Sequence, residues 1–150
     1  METEDCKMIK VAGEKYMENS MRIINKCAVK KLDSINKSGI QMAPYESDNN
    51  ESLNVQSFWK AEQFRKGKRK DIIIEFNDKC YNACITRENT KHQKGNNLRL
   101  MWTNGGLYTE IQKAFSKVNH VMCFSKTSSG IRFKLDILSD EETDNKLNKT

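Results

Sequence analysis

Followed for its alternation of apolar and polar positions, the chain has a patterned middle and more polar flanks. Ile72, Ile74 and Phe76 alternate with Asp71, Ile73 and Glu75, which predicts a strand with one apolar face. Leu98, Leu100 and Trp102 alternate likewise and predict a second strand. Between them Asp78 stands where a helix N-cap would. Tyr81, Cys84 and Ile85 then share a helical face, predicting a helix to about residue 91 that is broken by HQKGNN. Leu107, Ile111, Ala114 and Phe115 fall at i, i+4, i+7 and i+8 and predict another helix, starting near Thr103 or Asn104. Val121–Phe124 and Ile131–Leu138, joined by Thr127–Gly130, predict an antiparallel hairpin. The order β-α-β-α-β-β predicts an α+β fold, one small sheet covered by two helices.

The N-terminal part has a different period. Met17, Met21, Ile24 and Ala28 follow 4-3-4 spacing and Ile35 continues the seam, with Lys31 interrupting it. Residues 5–37 therefore predict an amphipathic or coiled-coil-like helix that packs on the domain or forms a homo-oligomer. Gly39, Pro44 and a polar Ser/Asp/Asn run predict a linker. The expected plan is an amphipathic helix over 1–39, an acidic linker over 40–57, a basic α+β domain over 58–138 and a disordered tail over 139–150. No apolar run approaches the ~20 residues that a membrane-spanning helix needs, and METEDCKMIK does not read as a signal peptide. Five cysteines, an odd number at irregular spacing, suit a reducing compartment better than a disulfide framework, so cytoplasm or nucleus is expected.

Charge changes the picture most. The formal net charge is +6, and residues 60–99 alone hold 11 Lys/Arg against 5 Asp/Glu. Residues 40–55 carry Glu46, Asp48 and Glu51 with no basic partner. A positive field concentrated on the patterned part favours polyanions. Its densest stretch is RKGKRK, holding Arg65, Lys66, Lys68, Arg69 and Lys70, with Lys60 just before it. Arg87, Lys91, Lys94 and Arg99 extend the track, and Arg132 and Lys134 add to it on one face of the last strand. Such groups gain affinity by displacing counterions from phosphates. Trp59 and Trp102 are candidates for stacking on bases, against the commoner role of aromatics in a core.

Other chemistries find little footing. Cys80, Cys84, His92 and His120 lack the paired spacing of a zinc site, and buried cysteines behave as small apolar residues. Asp71 and Glu75 share a strand face with Lys79 following, but four residues of strand separate the carboxylates too far to share one catalytic ion closely. Phosphate-loop, dinucleotide-fold and nucleophile-elbow motifs do not occur. No enzyme activity, metal or cofactor is expected.

From Lys66 onward the chain resembles the C-terminal domain of LINE-retrotransposon first-open-reading-frame proteins and its relative in baculovirus few-polyhedra proteins. The resemblance rests on RKDIIIEF (Arg69–Phe76), a helix ending in TRENTK, LRLMW (Leu98–Trp102), LYTEIQKAF (Leu107–Phe115) and VMCFSKTSSGIRFKL (Val121–Leu135). It spans about residues 58–138 and implies sequence-tolerant binding of single-stranded RNA or DNA, with Arg69, Arg87 and Arg132 facing the nucleic acid. It also implies a preceding coiled coil, where residues 5–37 would fit. The recognition domain that family usually places between the two is replaced here by a short linker, and Cys84-Ile85-Thr86-Arg87 stands in place of an Ala-Ala-Arg run. The expected function is non-enzymatic binding of single-stranded nucleic acid. The alternative is a protein-interaction adaptor working through the Met-rich N-terminal helix, with the basic patch serving an acidic partner or solubility.

Overall fold

The computed structural model describes residues 21–32, 35, 37–43, 50–60, 69–87, 98–103, 105–115 and 119–148. Instead of a small sheet under two helices, they form one eight-stranded sheet curled into a half-barrel, with three short helices. In chain order the elements are β1 (Arg22–Ile24), β2 (Cys27–Lys31), β3 (Gly39–Ala43), α1 (Asn50–Phe58), β4 (Arg69–Phe76) and β5 (Lys79–Arg87). There follow β6 (Leu98–Trp102), α2 (Gly105–Ala114), β7 (Val121–Lys126), β8 (Arg132–Leu138) and α3 (Asp140–Leu147). Across the sheet the strands run β1-β2-β7-β8-β4-β5-β6-β3, antiparallel except for the central β8–β4 pair.

Cross-strand partners share a face, so the register defines two surfaces. One carries Ala28, Met122, Phe124, Leu135, Phe133, Ile74, Ile72, Ala83, Ile85, Leu100 and Ile40, all buried. Against it α1 and the turn after it set Val55, Phe58 and Trp59, and α2 sets Leu107 and Ile111. Helix α1 packs on both β1 and β3, the two edge strands at opposite ends of the sheet. It therefore bridges the mouth of the half-barrel. Trp59 is fully buried there, with ring centroids 4.9 Å from Phe58, 5.2 Å from Phe124 and 4.6 Å from Phe133. Its Nε1–H points at the Met21 sulfur, 3.4 Å away, so even the polar atom is spent inside the core.

The outer face has a second, smaller core. Val29, Val121, Cys123 and Leu147 are buried together where α3 lies against β7 and β8. A capping box starts α3. Ser139 accepts from the Glu142 N–H at 3.1 Å, and Glu142 accepts from the Ser139 N–H at 2.9 Å. Lys31–Asp140 at 3.0 Å and Lys146–Asp136 at 3.2 Å hold it to the sheet.

Several sequence expectations are corrected. The helix predicted from Asp78 is strand β5, because Asn77 and Asp78 both take positive φ (50° and 64°) and Phe76 pairs with Lys79. That is the pattern of a type I′ hairpin turn, whose twist matches the strands it joins. Residues 22–31, predicted helical, form a hairpin through an equivalent turn at Asn25 (φ 47°) and Lys26 (φ 67°). Among the described residues no helix is long enough for the expected coiled coil; residues 1–20 lie outside them. Part of the predicted linker is β3 and α1, and the predicted tail contains α3.

Candidate functional site

Strand directions decide where the cations gather. With β4 taken as running upward, β2, β6 and β8 also run upward and β5 and β7 run downward, as the pairings require. One end of the half-barrel then holds the β1–β2 turn, the end of β7, and the starts of β8, β4 and β6. Lys26 occupies that turn, Lys126 ends β7, Arg132 opens β8, and Arg69 and Lys70 open β4. Arg99 stands one residue into β6, in one cross-strand row with Thr86 and Arg69. Arg87 ends β5 beside Leu98 at the same level. Lys60, just after α1, reaches the β7–β8 turn at Gly130.

Asp71 sits 3.5 Å from Arg69 at this end. Both side chains are well exposed (63% and 78%), so the pair is weak and leaves the guanidinium available. The opposite end and α3 carry Glu75, Asp78, Asp136, Asp140, Glu141, Glu142 and Asp144 interspersed with lysines.

Between α1 and the β1–β2 turn an open cleft of about 320 Å³ enters the cationic end. Ile23 and Phe58 give it an apolar side, Asn54 and Ser57 a polar one, and Lys26 and Lys126 its charge. The Lys126 ammonium lies 5.1 Å from the centre of the Phe58 ring, a cation–π contact that steadies it over the cleft.

The candidate residues divide into three groups. Lys60, Arg69, Lys70, Arg99 and Arg132 all lie toward the cationic end, Arg69 and Arg99 in one row with the backbone of Arg87 close by and Arg132 four residues farther along, opposite Ile73. Lys134 sits farther along the outer face, opposite Glu75 on one side and Ser125 on the other. Arg65, Lys66, Lys68, Lys91 and Lys94 lie outside the described residues. Trp59 and Trp102 are core residues, 0% and 9% exposed, and present no open ring face to a base.

No protein-family model, curated protein or solved structure matches the chain. The site therefore has to be read from its own chemistry. Lys26 and Lys126 are absent from the sequence-derived set because their importance is topological. Each is an isolated lysine, and only the pairing of β2 with β7 brings both to one end. The signal available was the two-residue turn at Asn25–Lys26, which places a lysine at a strand end. Among the described residues no three His, Cys, Asp or Glu side chains converge on a point that would hold a metal ion. Likewise no helix among them is long and apolar enough to cross a membrane.

Proposed function

We propose that the cationic end of the half-barrel binds single-stranded nucleic acid through its phosphates, with little base preference and without catalysis. The observation that carries this reading is that the strand ends and turns on one side of the sheet hold Lys26, Lys60, Arg69, Lys70, Arg99, Lys126 and Arg132, with Arg69 and Arg99 in one cross-strand row and Lys126 and Arg132 at the adjoining ends of β7 and β8. Phosphate contacts position a strand without reading its sequence. With both tryptophans in the core, stacking contributes little, and affinity rests on charge. The resemblance drawn from RKDIIIEF and its companion motifs implies the same class of ligand.

The test is fluorescence-anisotropy titration of a labelled single-stranded oligonucleotide at two salt concentrations. If about six cations each displace one counterion, the slope of log K against log salt is about −4, and affinity falls on the order of 300-fold between 50 and 200 mM. Reversing Arg69, Lys126 and Arg132 to Glu abolishes binding while leaving the circular-dichroism spectrum and the melting temperature near wild type. Absence of binding at low salt, or a triple variant that binds normally, refutes the reading.

A further inference from the structure

Two lysines stand where the backbone favours glycine. Among the described residues five other than glycine take positive φ, and Asn25, Asn77 and Asp78 belong to the types that tolerate it. The other two are Lys26 (φ 67°) and Lys60 (φ 56°). Lys26 takes the second place of the β1–β2 turn, where a type I′ turn favours glycine. Lys60 follows α1 and its N–H donates to the Ser57 carbonyl at 3.1 Å, again a place that glycine fills without strain. Strained residues persist where their surroundings hold them, and they cluster at ligand sites. What both positions gain over glycine is an ammonium group.

Lys26 lines the cleft between α1 and the β1–β2 turn, and Lys60 leaves α1 two residues after Phe58, which forms the apolar side of that cleft with Ile23. Lys126 is the second cation of the cleft, its ammonium 5.1 Å from the centre of the Phe58 ring. Among the described residues no carboxylate pairs with Lys26 or Lys126. Asn54 and Ser57 lie three residues apart on α1, both exposed, and bring an amide and a hydroxyl to the same space. The volume of about 320 Å³ is at the small end of ligand clefts, enough for one nucleotide and too little for a length of strand.

Two cations without a carboxylate between them suit a dianion. A phosphomonoester carries a charge of about −2 near neutral pH, whereas each phosphodiester inside a strand carries only one. The apolar side suits the flat body that bears the phosphate, and the amide and hydroxyl suit its polar edge. We propose that the cleft binds a nucleoside phosphomonoester, either the phosphorylated end of a strand or a free nucleotide. Lys26 and Lys126 hold the phosphate, and Asn54 and Ser57 hydrogen-bond the base or sugar. The choice of a nucleotide rests on reading the cationic end as a nucleic-acid site.

The test is a chemical-shift titration of the full chain with a nucleoside monophosphate, the matching nucleoside and inorganic phosphate. Anisotropy titrations of one oligonucleotide with and without a phosphate at each end accompany it. The monophosphate shifts the amides of Lys26, Asn54, Ser57 and Lys126 to saturation, and the nucleoside and inorganic phosphate each bind at least about tenfold more weakly. Tighter binding of a terminally phosphorylated strand assigns the cleft to strand ends; equal binding, with the monophosphate still bound, assigns it to free nucleotides. Lys26→Gly relieves the turn, so it raises the melting temperature while weakening the monophosphate about tenfold, and Lys126→Gln weakens it to a similar degree. Asp78→Gly, which relieves the β4–β5 turn in the same way, leaves binding unchanged. Failure of the monophosphate to bind together with no effect of a terminal phosphate overturns the proposal, even where the unphosphorylated strand binds. So does a Lys26→Gly variant that is stabilised without losing affinity. A bound monophosphate with no binding of any strand upholds the cleft and refutes the wider phosphate-binding reading.

Discussion

Lys30 offers a quantitative check on how the sheet is buried. It lies on the core face of β2, opposite Met122, and is only 3% exposed. Burial disfavours its charged form and lowers its pKa from 10.5 to about 8. At about 1.36 kcal/mol per pH unit, keeping the ammonium charged inside the fold at pH 7 costs roughly 3 kcal/mol. Lys30→Met preserves the length of the stem and removes the charge. The variant is expected to be more stable by about 1–3 kcal/mol at pH 7, the range allowing for the interactions the ammonium gives up. The sign follows from linkage. Below pH 8 both folded and unfolded wild type hold the proton and the full penalty applies. Between pH 8 and 10.5 the unfolded chain binds more protons than the folded one, so wild-type stability rises with pH relative to the variant. Urea unfolding of both proteins at pH 7 and pH 10 measures this, and comparing the two cancels the titration of other groups. A variant less stable than wild type at pH 7, or a stability gap that does not shrink by pH 10, refutes the argument.

Two further substitutions test the strand edges and turns. Gly39 has φ 150°, and a Cβ there would clash with the Leu100 carbonyl oxygen, so Gly39→Ala should cost about 2–3 kcal/mol in urea unfolding. Faster amide exchange along β3 and β6 should accompany that loss. Asp78→Gly relieves a left-handed residue in the β4–β5 turn and should raise stability by about 0.5 kcal/mol, read as a small increase in melting temperature.

How much of this was legible depended on which period the residues expressed. Ile72, Ile74 and Phe76 alternate in sequence and do so in β4; Leu107 and Ile111 keep helical spacing and face the core from α2. Strand β5 misleads because Tyr81, Cys84 and Ile85 also satisfy a helical spacing, while its core face is Tyr81, Ala83 and Ile85. Asn77–Asp78 left the choice open, since a side-chain oxygen before a polar run suits a helix cap and a hairpin turn equally. The same ambiguity hid β1 and β2, where Met21, Ile24 and Ala28 fit a heptad but Asn25–Lys26 makes a turn. Helix α3 was announced by Ser139 and Glu142, a capping box preceding too few apolar residues to stand out; Leu147 completes its anchor. For the site, RKGKRK and Arg99 declared their charge in the sequence. What brings Lys26 and Lys126 together is the long-range pairing of β2 with β7, which no local pattern contains.

The strand order also sets a timetable for folding. Strand β2 can pair along its free side only with β7, and β3 only with β6, so Val29 waits for Cys123 and Ile40 for Leu100. As the chain leaves a ribosome, the β1–β2 hairpin and the β3 segment emerge before their sheet partners, β3 waiting for residues 98–102 and β2 for residues 121–126. The hairpins β4–β5 and β7–β8 close locally, but their parallel seam joins Ile73 to Arg132 and is also late. High sequence separation of this kind slows folding and leaves strand edges open to other chains meanwhile. Strands β1, β2 and β3 are therefore the ones most exposed to misassociation during synthesis, although β1 and β3 end as the two edges of the finished sheet.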